Sequence, residues 1–246
     1  MTLQVFTLEQ KPELRDGIDR LSAGSWPRFL LHGNATRWHL LFDLFPGYQL
    51  LFCDVESGLV AVGHTVPLVW DGSLSELPGT IDGILLRAEE AFRHGLKPDT
   101  LCALAAMVGA GHRGQGLSRI VVGEMRALAR RCSCTSLIAP VRPSWKSRYP
   151  LTPFERYVGW KTPDGTPFDP WIRVHHRLGA LPLAIASNTL TVEGSVADWE
   201  EWTGMAFPET GPYVVPGALQ PVSIDLGSDL GRYEDPNLWM LHALGS

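Results

Sequence analysis

Val108 to Met125 reads VGAGHRGQGLSRIVVGEM, and two signatures overlap in it. Gly109, Gly111 and Gly114 stand at the G-x-G-x-x-G spacing of a dinucleotide-binding turn, while Arg113-Gly114-Gln115-Gly116-Leu117-Ser118 runs a second Gly-rich turn into an apolar-periodic helix. Successive backbone N–H groups at a helix start lack intrahelical partners, and the helix dipole adds partial positive charge, so such a turn is an anion site. Gly114 and Gly116 carry no side chain to hold a phosphate away and can take left-handed angles. Arg113 adds a cation beside them. The physics specifies a diphosphate without saying whose.

The flanks place the turn between a strand and a helix. Leu101 to Val108 (LCALAAMV) is a short, almost wholly apolar run that suits a buried strand. From Leu117 to Arg131 the apolar set Leu117, Ile120, Val121, Met125 and Leu128 marks one helical face, with Arg126, Arg130 and Arg131 toward the carboxyl end, where the dipole favours cations. Thr135 to Val141 reads as the next strand.

Upstream, Leu3 to Leu8 alternates as a first strand, a helix is expected over Pro12 to Leu21, and a further apolar segment covers Trp38 to Phe45. Tyr48 to Val55 and Leu59 to Val69 form a hairpin about Glu56-Ser57-Gly58. Ile81 to His94 has helical spacing and stops at Gly95. Downstream, prolines at 143, 150, 153, 163, 167 and 170 interrupt a Trp- and Tyr-rich segment that cannot be one long element. A helix over Pro170 to Leu178, a strand over Leu181 to Val192, a capping box at Ser195 to Asp198 before a helix bearing Trp199 and Trp202, and a last strand within Val214 to Leu226, broken by Pro216 and Pro221, complete the reading.

The chain of 246 residues is 45% hydrophobic, enough for one large domain over residues 1–246, and it shows no repeat or low-complexity linker. Lys and Arg number 21 against 26 Asp and Glu, a net charge of -5, which provides no global field for nucleic acid or a membrane surface. MTLQVFTLEQK lacks a secretory signal pattern and no apolar run approaches a spanning helix, so a cytoplasmic protein is expected. Cys53, Cys102, Cys132 and Cys134 read as free thiols, and Cys132-x-Cys134 falls one residue short of common metal spacing. No metal is expected.

Three functions suit the turn to different degrees. A phosphate-binding P-loop requires Lys and Ser or Thr after the last glycine, whereas Gly116 is followed by Leu117-Ser118. A dinucleotide fold, as in an NADP-linked oxidoreductase, matches at Gly109, Gly111 and Gly114, with Arg142 after the next strand to meet a 2'-phosphate. Against it, no acidic residue closes the second strand and the strand–helix alternation stops in the Pro-rich region.

The third reading is a resemblance. Arg113-Gly114-Gln115-Gly116-Leu117-Ser118 resembles the Arg/Gln-x-x-Gly-x-Gly/Ala acetyl-CoA motif of the GCN5-related N-acetyltransferase (GNAT) superfamily, with Ser118 at the last small position and without the usual preceding Pro. His175-His176-Arg177-Leu178-Gly179-Ala180 is similar to that family's Tyr-x-x-Leu-Gly-Phe helix ending, lacking its Tyr and with Ala180 for Phe. The element order matches over roughly residues 1–180 plus terminal strands, with the helix at 81–94 and an irregular segment at 150–169 as additions. The resemblance implies an α/β (α+β) fold: a mixed, mostly antiparallel sheet flanked by helices, with a splayed parallel pair at the acyl-CoA site. It implies that backbone groups of Met107 and Val108 bind the pantetheine arm and that N–H groups of Arg113, Gly114, Gln115, Gly116, Leu117 and Ser118 take the diphosphate.

The implied function is transfer of an acetyl or other short acyl group from acetyl-CoA to a small-molecule amine by direct attack on the thioester. A protein amine fits the motif equally well, and a non-catalytic acyl-CoA-binding protein is the other alternative. An oxyanion donor is expected in a backbone N–H near Val108. Tyr149 is the candidate acid for the leaving thiolate, with Tyr157 behind it. The family sometimes supplies a base as a strand Glu, which LCALAAMV lacks, so His64, Glu124, His175, His176 or a water route stands in. His175 and His176 point to opposite sides of their helix. Trp26, Phe29, Trp38, Trp145, Tyr157, Trp160 and Trp171 are the aromatic candidates for the acceptor pocket or for plain core. Dimers are common in that superfamily, so a homodimer is among the expected assemblies.

Overall fold

The computed structural model describes residues 2–22 and 25–245. The chain runs β1 (Leu3–Thr7), α1 (Arg15–Ser22), α2 (Leu40–Asp43), β2 (Gln49–Asp54), β3 (Gly58–Leu68), α3 (Ile81–Arg93), β4 (Thr100–Val108), α4 (Leu117–Arg131), β5 (Ser136–Val141), α5 (Phe154–Val158), α6 (Pro170–Arg177), β6 (Leu181–Gly194), α7 (Val196–Thr203), β7 (Gly211–Tyr213), β8 (Val222–Asp225) and β9 (Leu230–Ala243). One nine-stranded sheet orders them β1-β2-β3-β4-β5-β9-β8-β7, with β6 on the other side of β9. Only β4 and β5 pair in parallel.

Two apolar layers sandwich this sheet. Leu117, Val121, Met125 and Leu128 of α4 and Ile172 of α6 pack on one face with Leu101, Leu137, Leu238 and Met240. Ile84, Leu85 and Ala88 of α3 and Leu41 of α2 pack on the other with Val66, Cys102, Ile138 and Trp239. The strand period of two sends neighbouring residues such as Leu137 and Ile138 to opposite layers.

The expected elements lie where the periodicity places them, with one exception near the end. The interval from Val214 to Leu226 holds only the short β8, and the tip of β7 lies just before it. The strand that completes the sheet is β9, which pairs with β5 over Leu238–Ala243 and with β6 over Gly231–Leu241. Pro236 conceals it, because Asp235-Pro236-Asn237 has turn composition. In the fold that proline falls where β6 shifts register between Ala186 and Leu190, so no regular ladder bond is missed there.

Residues between β6 and β9 therefore form an excursion, and a third apolar cluster holds it down. Trp199, Phe207, Val215, Val222 and Ile224 pack with Phe29, Leu190 and Tyr233. Ser195 and Asp198 form the expected capping box at the start of α7. Gly231 lets Trp199 lie against bare backbone, since a Cβ there would come within 2.1 Å of its ring.

The Pro-rich stretch is organised by one carboxylate. Asp169, 2% exposed, caps α6 by accepting from the N–H groups of Trp171 and Ile172. It also accepts from the N–H groups of Ser144 and Trp145 and from the Tyr157 hydroxyl at 2.8 Å. Lys146 is fully buried and donates to carbonyls of Tyr149 and Leu219, tying this stretch to the excursion, and burial lowers its pKa to about 8. Asp169→Ala strands these donors without acceptors, and a loss of ~3 kcal/mol in denaturant unfolding is expected.

Three histidines sit inside the layers. His64 is 0% exposed, bonds Gln49 Oε1 through Nδ1 at 2.9 Å, and burial lowers its pKa to about 4. His175 and His242 share a 3.0 Å Nδ1···Nε2 bond, and desolvation holds both below the ordinary imidazole value. Because the folded values lie below the unfolded one near 6.5, the unfolded chain binds more protons under acid conditions. Stability is complete above ~6.5 and falls as pH drops toward the folded values, by ~1.4 kcal/mol per pH unit for each histidine. Melting temperatures between pH 7 and 5.5 should show this decline, with a shallower slope in His64→Phe.

Candidate functional site

The site begins with one extra residue. On β4 the register against β3 slips so that His64 faces Ala105 and Thr65 faces Ala103, which leaves Leu104 as a bulge. A bulge bends its strand and disrupts the ladder. Beyond it β4 leaves β5: the two pair at Thr100↔Ser136, Leu101↔Leu137 and Cys102↔Ile138 and nowhere further. A hydroxyl bond between Thr100 and Ser136 at 2.8 Å pins the closed end. The expected splay is thus present, and its edges are the backbone of Ala103–Val108 and of Ala139–Val141.

Strand alternation assigns which groups face the opening. Gly109 N–H donates to Val60 on β3, so the backbone groups of Met107 also turn to β3, while those of Val108 and Ala106 turn to the gap. Val108 accordingly offers both N–H and C=O there, and Arg113 Nε reaches its carbonyl at 3.4 Å. Met107 borders the cavity without presenting that backbone edge.

At the mouth of the gap stands the Gly-rich turn. Gly114 and Gly116 have φ of +78° and +80°, and a Cβ at either would meet no atom within 4 Å. Gly116 is the N-cap of α4, with no side-chain cap and no acidic residue in the first turn. Among the described residues, the N–H groups of Gly114 through Ser118 reach no backbone acceptor. Arg113, Gly114, Gln115 and Gly116 are exposed, and the Leu117 side chain is buried under the helix. Among the described residues, the N–H groups of Gly114 to Ser118 thus stand together around open space, with Arg113 beside them.

The gap leads into a cavity of about 340 Å³ that passes through the sheet. On the α4 side its wall is Val122, Met125, Trp171 and His175; on the other it is Trp26, Leu30, Gly33, Ala35 and Trp38. Between them lie Arg142, just past the end of β5, and Thr189, Asp235 and Asn237 from the middle of β6 and β9. The aromatic candidates divide accordingly. Trp26, Trp38 and Trp171 line the cavity, Phe29 packs with Trp199 and Tyr233, and Trp145, Tyr157 and Trp160 belong to a ring cluster around Phe168.

Tyr149 belongs to that same cluster, 5.1 Å from the Trp160 ring centroid and 37% exposed, and it does not line the cavity. Of the histidines, His64 lies in the core between Trp38 and Phe42 and His176 is exposed, as the helix geometry predicted. His175 borders the cavity, and its Nε2 has no partner among the described residues. Glu124 does not reach the wall.

Sequence reasoning missed Asp235, Asn237 and Thr189, all in or opposite the unrecognised β9. Asp235 binds Arg142 Nε through both oxygens, at 3.0 and 2.9 Å, and accepts from the Tyr233 hydroxyl at 2.6 Å. The arginine thereby rises further above its usual pKa against the cost of burial, and the phenol is pushed up by desolvation. No group of three or more His, Cys, Asp or Glu among the described residues is arranged to hold a metal, and no described helix is long and apolar enough to cross a membrane.

Comparison with known proteins supplies the remaining evidence. No family profile matches the chain. An arginine N-acetyltransferase of Aspergillus versicolor is 35% identical over 249 residues, covering 89% of this chain and 85% of that protein. Among solved structures, the loading GNATL domain of CurA from Lyngbya majuscula aligns with a TM-score of 0.65 at 16% identity, covering 99% of this chain and 98% of that one. The GphF GNAT-like decarboxylase in complex with isobutyryl-CoA aligns at 0.57 and 17%, covering 99% and 100%. The two solved structures share the fold, and the curated relative, alike over most of both chains, carries the assignment: the chain belongs to the GCN5-related N-acetyltransferase superfamily and is an N-acetyltransferase.

Proposed function

We propose that the protein acetylates arginine or a small molecule carrying an arginine unit, with the diphosphate of acetyl-CoA held by the N–H groups of Gly114 to Ser118 and by Arg113. The observation that carries this reading is the continuity of the uncapped turn, the β4–β5 gap and the cavity crossing the sheet. The pantetheine arm would lie in the gap, adding to the free edge at Ala106 and Val108 beside Met107. The thioester would then meet an acceptor entering from the side of Trp26 and Trp38, whose rings suit a guanidinium. Arginine as acceptor rests on the relative that is 35% identical. The free state of all four cysteines supports a reducing, cytoplasmic setting.

In the reaction the neutral amine attacks the thioester carbonyl, an N–C bond forms and the C–S bond breaks. Val108 N–H, turned to the gap, is positioned for the oxyanion. The cavity wall holds one carboxylate, Asp235, and it is occupied by Arg142 and Tyr233, so the amine proton leaves through water. Two side chains compete to stabilise the leaving thiolate: Tyr149, the candidate from sequence, by donating a proton, and His175, which borders the cavity and is held neutral by burial, by a hydrogen bond from Nε2.

Gly114→Asp tests the cofactor placement. A carboxylate set against the diphosphate should weaken acetyl-CoA binding by about tenfold or more, read by calorimetry, with little change in melting temperature because the turn is exposed. Unchanged affinity overturns the placement. For the leaving thiolate, kcat should fall more in His175→Phe than in Tyr149→Phe, by about tenfold or more; the reverse order returns the role to Tyr149.

A further inference from the structure

The acceptor half of the cavity contains a polar pair with one open donor and one open acceptor. Arg142 follows the last residue of β5, and Asn237 precedes Leu238 on β9, so the two are opposite each other one step beyond the Val141↔Leu238 pair. Arg142 places Nε on both oxygens of Asp235 and donates Nη2 to the Gly217 carbonyl at 2.9 Å. The Tyr233 hydroxyl also lies near the guanidinium, but among the described residues no hydrogen bond within 3.5 Å engages the remaining nitrogen, Nη1. The side chain keeps 17% of its surface exposed while bordering the cavity.

Asn237 complements it. Its Nδ2 is directed at Thr189 Oγ1, the Asp235 carbonyl and Asp235 Oδ2. That set of acceptors fixes the amide's orientation, since the flipped form would place Oδ1 against three oxygens. Oδ1 is consequently left without a donor among the described residues. Asp235 itself is full: two bonds from Arg142, one from Tyr233 and one from Asn237 occupy its lone pairs, so it is closed to an incoming cation. Its work is to hold the arginine with one edge free.

We propose that Arg142 Nη1 and Asn237 Oδ1 together recognise the main-chain end of an amino acid in the acceptor, the arginine donating to a carboxyl or carbonyl oxygen and the asparagine accepting from the neighbouring N–H. The pairing suits a free amino acid and an amide-linked one alike, because both carry an N–H within two bonds of the carbonyl carbon, across Cα in the first and directly attached in the second. An amine that lacks the carbonyl satisfies neither the guanidinium nor the geometry. This rests on the reading of the protein as an acetyltransferase of arginine-type acceptors and specifies how such an acceptor is held.

The test compares three acceptors on the full-length protein: arginine, arginine amide, and agmatine, which is arginine without its carboxyl group. Acetylation is followed by CoA release, and binding of each acceptor in the presence of CoA is followed by calorimetry. The better of arginine and arginine amide should have a KM and Kd at least about tenfold below agmatine, because one charge-assisted bond is lost with the carbonyl. A preference for arginine over its amide identifies the free carboxylate as the ligand; the reverse identifies the amide. Arg142→Lys retains the charge facing Asp235 and loses the fork, so the preference over agmatine should collapse to less than about threefold while CoA affinity stays unchanged. Agmatine used as well as both others by the unaltered protein overturns the proposal and leaves the acetyltransferase reading standing. Selective binding of arginine or its amide without acetylation supports the pair and overturns the acetyltransfer of arginine. If Arg142→Lys does not fold, the acceptor comparison on the unaltered protein decides alone.

Discussion

The whole site depends on β4 giving up its partner. A strand pair in a buried sheet normally satisfies every backbone donor and acceptor, and leaving them open inside a fold is costly. Here the bulge at Leu104 turns β4 away just after Cys102, and the edges of Ala103–Val108 and Ala139–Val141 are left without one another. The gap is lined by small side chains, among them Ala103, Ala105, Ala106 and Ala139, and borders the cavity rather than close-packed core. The rest of the sheet is arranged to keep the gap open: the Thr100–Ser136 bond and the apolar packing around Leu101 and Leu137 hold one end shut.

After β4 the backbone supplies a positive end: α4 starts on a left-handed Gly116 with neither a capping side chain nor an acidic residue to neutralise the dipole. A side chain at Gly114 or Gly116 would cost little in packing, since the space is empty, but would strain the backbone and occupy the volume a phosphate requires. The helix stays in place through Leu117, Val121 and Met125, so the donors it presents are held by the core on which the sheet also rests.

Much of this was legible from residues alone because it is local. The Gly spacing, the apolar face of Leu117 to Arg131 and the box at Ser195 and Asp198 each depend on neighbours within a turn or two. The splay came from resemblance, and neither the bulge that makes it nor the turning of Met107 toward β3 leaves a trace in LCALAAMV, since register is a relation between strands. The acceptor half was hidden for a related reason. Asp235, Pro236 and Asn237 look like a turn, and only pairing with β6 sets Asp235 and Asn237 into the wall of a cavity. Aromatic composition was no guide either: Trp38 and Trp171 line the cavity while Trp145 and Trp160 pack against Phe168, and their sequence surroundings do not differ in kind.

The buried charges show how the two halves of the cavity differ in purpose. His175 and His242, facing each other without a carboxylate, are kept neutral by desolvation, so the α4 side contributes hydrogen-bonding groups and no net charge. Across the sheet, Arg142 pairs directly with the Asp235 carboxylate, which holds the arginine's pKa up against the cost of burial, and Tyr233 donates to that carboxylate while receiving the Leu219 N–H. A buried ion pair adds little to stability by itself, since desolvation offsets most of the attraction. Its retention in the cavity wall, with the arginine fixed at three of its contacts and open at a fourth direction, is explained by orientation: the guanidinium is locked in advance, so an acceptor docking against it need not order a long side chain first. Polarity is therefore concentrated around Arg142, Asp235 and Asn237 and is sparse along Val122, Met125 and Trp171.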